Sequence, residues 1–389
     1  MKASLSKGIG FNVVLLGIAS FLNDASSEMI MPILPLFIAS LGGTGFIVGL
    51  IGRLRDSISS LFTVISGYWS DKTGKRKIFV FSGYLISAIY KLLLSLSTIW
   101  YHVLVFSGLE RVGKGIRTAP RDAIIADSMP KRRGKGFGIH RALDTSGAVL
   151  GSSIAFILIW FIAVDFNIII LIAAFIAFSS LVPLLLVKDT KRKSQNIQFS
   201  ISLKSLSKPL KLFLIISGVF SLANFSYMFF ILKAQTFFTG EWAVAAPILL
   251  YVLFNIFYAI FAIPFGSLSD KIGRKTVILL GYLLFSFMAL GFAFLFSLPA
   301  FIALFALYGT VFAVLDGNQR ALVSDLSSEK LRSTALGTYH TVTGLIALPS
   351  SLIAGLFWEL INPTVMFLYG SILGLLAVTI FLLFKNHFH

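Results

Sequence analysis

Long apolar runs alternate with short polar connections from residue 11 to residue 384. A helix needs about 20 predominantly apolar residues to cross a hydrocarbon core. The pattern therefore predicts twelve transmembrane helices, over 11–39, 46–68, 77–97, 100–126, 136–161, 166–187, 211–236, 244–265, 276–296, 299–323, 334–358 and 364–384. One polar stretch is long, "KDTKRKSQNIQFSISLKSLSKPLK" at 188–211. It divides the spans into an N-terminal six-helix half (1–187), a basic linker (188–210) and a C-terminal six-helix half (211–389). The expected fold is an all-α polytopic membrane protein with two pseudo-symmetric halves.

Composition agrees. Of 389 residues, 57% are hydrophobic and only 13% charged, against about 25% charged in soluble domains. The chain has no Cys, which excludes a disulfide framework or a thiolate metal site. Lys2 and Lys7 precede the first apolar run as they would in a signal peptide. No small-residue cleavage site follows, so the run is expected to stay as the first membrane helix.

The net charge of +17 would suit a nucleic-acid partner, but its placement argues otherwise. Most of the Lys and Arg lie at the termini and in every second connection, including "DKTGKRK", "PKRRGKG", "DKIGRK" and "EKLRS". The intervening loops, such as "SLGGTG" and "STIWYH", hold none. Basic loops remain cytoplasmic, which predicts a multi-pass protein of the cell membrane with both termini inside. The excess charge is a topology signal facing anionic headgroups of the lipid bilayer.

The halves repeat. "GYWSDKTGKRK" at 67–77 reappears as "GSLSDKIGRK" at 266–275. Asp71 and Asp270, Arg121 and Arg320, and Gly138 and Gly337 share one offset. Duplicated six-helix halves are a transporter architecture with substrate near the midplane. The repeated loop, with Gly67, Asp71, Gly74, Lys75 and Arg76 in one copy and Gly266, Asp270, Gly273, Arg274 and Lys275 in the other, resembles the signature loop of the major facilitator superfamily. "RVGKGIRTA" at 111–119 is similar to the Arg-x-x-Gln-Gly motif of its proton-coupled antiporters, with Lys114 in place of Gln. "GAVLGS" at 147–152 resembles their Gly-x-x-x-Gly-Pro motif, with Ser152 in place of Pro. The resemblance implies two gating loops. Asp71 would latch near Ser333 and Thr334, and Asp270 against the start of the fifth helix.

The charged stretch "GLERVGKGIRTAPRDA" at 108–123 lies inside a predicted span. At 100° per residue, Glu110, Lys114, Arg117 and Arg121 form one stripe, with Arg111 and Asp122 beside it. The opposite arc is small or apolar, which predicts one wet face and one packed face. Buried charge in a bilayer costs roughly 2.5–3.5 kcal/mol per residue at a helix centre on insertion scales, so these groups need partners or water. Other spans add Asp24 and Glu28, Arg53 and Asp56, Lys91, His140 and Asp144, Asn224, Lys233 and Asp316. Gly147 and Gly151 lie on the stripe of His140 and Asp144 and permit close helix packing.

These residues predict a secondary active transporter that moves a small-molecule substrate by alternating access, with protons as the coupling ion. The acids Asp24, Glu28, Glu110 and Asp144 are the candidate proton carriers. Arg111 and Lys114 are the bases that neutralise them or hold an anion. Efflux of amphiphilic compounds is the leading expectation. An organic-anion transporter and a divalent metal exporter are the alternatives, the latter through Asp24, Glu28, His140 and Asp144, although no ligand spacing marks a metal site. No phosphate-binding loop is present, and no enzyme activity or cofactor is expected. The oligomeric state is not legible, and a monomer is the default.

Overall fold

The computed structural model describes residues 10–129, 133–189, 206–327 and 332–384. The side chains of Asp71, Ser333 and Thr334, and most of the 188–210 linker, lie outside the described residues, and with them the latch expected at Asp71. Among the described residues there are helices and no strands. They are α1 (Phe11–Ile30), α2 (Leu34–Ser40), α3 (Gly45–Thr73), α4 (Arg76–Leu94), α5 (Trp100–Ser128), α6 (Arg133–Trp160), α7 (Phe166–Ser179) and α8 (Leu181–Leu186). After the linker come α9 (Lys208–Ala223), α10 (Met228–Gln235), α11 (Trp242–Ile272), α12 (Arg274–Phe294), α13 (Leu298–Asp325), α14 (Arg332–Leu360) and α15 (Pro363–Leu383).

Among the described residues, ten helical stretches are long and apolar enough to cross a membrane. α3 and α5 are also long, at 29 residues each, but their charged residues keep them below that apolarity. Three predicted spans are broken. The first turns at Met31–Ile33, where Pro35 lacks an N–H and its ring clashes with the carbonyl four residues back. The sixth bends at Ser180, between α7 and α8. The seventh unwinds at Asn224–Tyr227 without a proline. There Arg53 donates to the carbonyls of Asn224 and Phe225, and Ser351 Oγ accepts from the Ser226 amide at 2.8 Å. Free backbone groups at membrane depth need such partners.

The chain forms two compact units. The first comprises Met1–Gly42 and Ile58–Phe199, the second Gly43–Ser57 and Ser200–His389. The first half of α3 thus belongs with the second unit. Within the first unit, α1 packs on α6 and α7, and α4 on α5 and α7. Close approach explains the α1–α6 contact. A Cβ on Gly147 would stand 2.3 Å from the Phe21 carbonyl oxygen, and one on Gly151 would stand 2.0 Å from that of Ala25. Within the second unit, α11 packs on α13, and α12 on α13 and α15.

The two repeated loops each turn on a glycine with positive φ, +69° at Gly74 and +92° at Gly273, a region open to glycine at little cost. Arg76 opens α4 and its Nη1 lies 2.6 Å from Asp127 at the end of α5. Arg274 opens α12 and its Nε lies 2.6 Å from Asp325 at the end of α13, while its Nη2 also meets Asp270 at 3.1 Å. Both Arg–Asp pairs span 51 residues of sequence. The repeat therefore extends to Asp127 and Asp325, which the motif comparison did not single out.

Candidate transport site

The first unit gathers charge where α1, α4, α5 and α6 meet. α5 supplies most of it. Glu110 is 2% exposed and pairs with its neighbour, Oε2 to Arg111 Nε at 3.2 Å. Arg111 Nη2 also points at Met31 Sδ, 3.3 Å away. One turn further along α5, Lys114 is exposed, and beyond it Arg117 is buried again. Arg117 Nη1 donates to Ser87 Oγ at 2.7 Å and its guanidinium lies 4.3 Å from the centre of the Tyr84 ring. Arg121 donates to Asp122 at 3.0 Å and lies 3.5 Å from Ser20 Oγ.

α4 adds Lys91, a lysine 1% exposed. Its Nζ donates to Ser26 Oγ and Ser27 Oγ, each at 2.9 Å, and lies 3.4 Å from the Asn23 carbonyl. These partners are neutral oxygens of α1. They replace hydration for a cation that could not otherwise be buried.

α1 and α6 supply the acids. Asp24 is half-buried, and its carboxyl is within hydrogen-bonding reach of Asp144. Asp144 also accepts from Ser20 Oγ at 2.7 Å and from Arg141 Nη1 at 3.2 Å. Two carboxyls this close repel each other when both are ionised. Glu28 lies one turn along α1, half-buried. His140 is buried on α6, and its Nε2 has no hydrogen-bond partner among the described residues.

The structure therefore brings Asp24, Glu28, Glu110, Arg111, Lys114, His140 and Asp144 into one unit. The single wet stripe expected on α5 is corrected. Glu110 and Arg117 are buried, because Arg111, Ser87 and Tyr84 supply partners that the helix wheel does not show. Only Lys114 of that stripe's middle turns is exposed.

Arg53, Asp56, Asn224 and Asp316 are placed elsewhere, in the second unit. Arg53 pairs with Asp56 at 3.2 Å and caps the α9–α10 break. Asn224 closes α9, with Oδ1 buried and unpartnered among the described residues. Asp316 on α13 accepts from Tyr258 at 2.8 Å and pairs with Arg320 at 2.5 Å. The residues missed by sequence reasoning are Ser20, Ser26, Ser27, Tyr84 and Ser87. Serines in apolar helices are common, and nothing in the string marks these as ligands of a cation. The second unit also holds an apolar cavity of about 730 Å³ between the α10–α11 connection, α11 and α13, lined by Phe237, Phe238, Trp242, Leu250 and Ile302.

Known proteins give a consistent comparison. The sequence profile of the Major Facilitator Superfamily matches residues 16–245 and 214–388. An uncharacterised MFS-type transporter of Methanocaldococcus jannaschii is 56% identical over 370 residues, covering 94% of this chain and 93% of the relative. The multidrug resistance protein MdtG of Enterobacter lignolyticus is 35% identical over 147 residues, 36% of this chain and 34% of MdtG. Among solved structures, the nucleoside transporter NupG superposes with a TM-score of 0.80 at 16% identity, covering 97% of this chain and all of that one.

Proposed function

The chain belongs to the Major Facilitator Superfamily, a family of membrane transporters rather than enzymes, and from that premise we propose that it is a proton-coupled secondary transporter working by alternating access. The observation that carries the reading is the facing carboxyl pair, Asp24 and Asp144, beside Arg121 and Ser20. The pair is the proton site. Its charge changes by one when the proton leaves, and the surrounding bases feel that change through a low dielectric. Alternating access opens this site to one side of the membrane and then the other, with the repeated loops at Gly74 and Gly273 as the gates. The basic connections set both termini on the cytoplasmic side of the cell membrane, with the protein acting as a monomer.

The substrate is an amphiphilic small solute. The partial likeness to MdtG supports export, which holds for a substrate that competes with the proton, as a cationic group would. The metal alternative lacks support, since among the described residues no three His, Asp or Glu side chains come together. A second reading, transport of an organic anion, is favoured by the state of Lys114 and is taken up below.

Reconstituted protein under an imposed pH difference tests the proposal. Wild type should accumulate a fluorescent dye, rhodamine 6G or 6-carboxyfluorescein, against its gradient. Asp24→Asn and Asp144→Asn should keep downhill exchange and lose pH-driven accumulation. Undiminished accumulation in both variants overturns the role of the pair.

A further inference from the structure

The bases of the charged cluster are not equivalent. Arg111 is paired with Glu110 at 3.2 Å, Arg117 is held by Ser87 at 2.7 Å and by the Tyr84 ring, and Arg121 is paired with Asp122 at 3.0 Å. Lys91 is clasped by two serine hydroxyls, and Arg141 is paired with Asp144 at 3.2 Å. Each of these cations has spent donors on a partner within the unit. Lys114 has not. Among the described residues its Nζ makes no hydrogen bond and no ion pair, and its side chain is exposed although it sits at the middle of α5. The charges acting on it are those of Arg111, Asp24, Arg117 and Glu110, two of each sign. Of the two acids, Glu110 is committed to Arg111, which leaves Asp24 as the carboxylate that balances Lys114 from a distance.

We propose that Lys114 is the seat for an anionic group of the substrate, a carboxylate or a phosphate, and that this anion travels together with the proton. An ammonium is a compact charge with three donors, suited to either group as a point charge. The flanking arginines on the same face add to the positive potential without leaving their own partners. The coupling follows from Asp24. An ionised Asp24 opposes a second negative charge at Lys114, whereas a proton on the Asp24–Asp144 pair removes that opposition. Proton and anion therefore strengthen each other's binding, and by linkage the effect is reciprocal. A substrate that binds with the proton is cotransported. The inference rests on the proton-coupled reading above and develops its second reading, transport of an organic anion.

The test uses two probes that share a xanthene frame and differ in charge, anionic 6-carboxyfluorescein and cationic rhodamine 6G. Binding of each to the detergent-purified full chain is followed by fluorescence polarisation at one fixed pH, with thermal melts confirming that the variants fold. Wild type should bind carboxyfluorescein in preference to rhodamine. Lys114→Gln should weaken carboxyfluorescein at least tenfold, equivalent to about 1.4 kcal/mol. Lys114→Arg should retain it, and Lys114→Glu should reverse the preference. Asp24→Asn, which mimics the protonated acid, should tighten carboxyfluorescein several-fold. Equal binding by wild type and Lys114→Gln, or a wild-type preference for rhodamine, overturns the anion seat. Weaker or unchanged binding in Asp24→Asn overturns cotransport. The transport reading fails separately. If wild type binds carboxyfluorescein through Lys114 yet accumulates neither dye in liposomes under a pH difference, the seat stands and proton-coupled transport falls.

Discussion

The α4–α5 crossing and the α12–α13 crossing are built on the same plan from opposite materials. Each pair starts from an arginine that reaches an aspartate 51 residues later, Arg76 to Asp127 and Arg274 to Asp325. Each tucks a glycine of the first helix against the second, Gly83 beside Arg117 and Gly281 beside Leu315. Each carries a buried tyrosine next to that glycine, Tyr84 or Tyr282. The filling then diverges. In the first unit the crossing holds Glu110, Arg111 and Arg117. In the second, Tyr308 occupies the core with Phe230 and Phe254, at ring separations of 4.4 and 4.8 Å. One scaffold thus accommodates a charged site and an aromatic core. The backbone arrangement does not decide where charge is buried; the side chains inserted at the crossing do.

The largest test of this comparison is to add a methyl group at each glycine. A Cβ on Gly83 would meet the Gly113 carbonyl oxygen at 2.6 Å and the Arg117 amide at 2.8 Å, both backbone. On Gly281 the nearest atom is Leu315 Cδ2 at 2.4 Å, the end of a mobile side chain. Gly83→Ala should therefore cost about 3 kcal/mol or more, the upper range for overpacking, and deplete folded protein in size-exclusion profiles. Gly281→Ala should cost about 1 kcal/mol, and an equal loss would remove the distinction drawn here.

Next in size is the charged filling itself. Arg117→Met strips a buried guanidinium from Ser87 and Tyr84 and leaves Glu110 less compensated, which should lower stability by about 3 kcal/mol. Its counterpart Leu315→Met is close in volume and should cost less than about 1.5 kcal/mol. Thermal melts in one detergent compare the two directly, and a larger drop for Leu315→Met would show that the charges are not structural.

The loop arginines should differ by less. Arg76 and Asp127 are 7% and 16% exposed, whereas Arg274 and Asp325 are 28% and 55% exposed. Arg76→Ala should cost about 2 kcal/mol and Arg274→Ala less than about 1 kcal/mol, because water screens the outer pair. The smallest contrast lies at the tyrosines. Tyr84 Oη has no hydrogen-bond partner among the described residues, so Tyr84→Phe should be almost neutral. Tyr282 Oη accepts from Gln319 Nε2 at 2.9 Å. Tyr282→Phe would strand that buried amide and cost about 1 kcal/mol. Melting curves that rank the pair the other way would contradict the hydrogen-bond assignment.

Much of the architecture was legible in the string because bilayer crossing imposes a length and an apolarity on each helix. The family was legible in two copies of one charged loop. The break in the first span was less visible, since prolines kink some membrane helices and pass unnoticed in others. The break at Asn224–Tyr227 was not visible at all. It persists because Arg53, remote in sequence, satisfies the freed carbonyls. At the site, the charged residues were found from their cost in a membrane, but their states were not. A helix wheel put Glu110, Lys114 and Arg117 on one face and treated them alike. Ser87, Tyr84 and the neighbouring Arg111 separate them.

By itself, the sequence determined that the chain is a helical membrane protein of repeated design and which residues carry charge into the membrane. Periodicity and apolar length are local properties, and a repeat is a comparison of the string with itself. Only the tertiary structure decided which cations are spent and which is open. Burial and pairing depend on groups brought from other helices, and Lys114 differs from Arg117 by the presence of one serine and one tyrosine from α4.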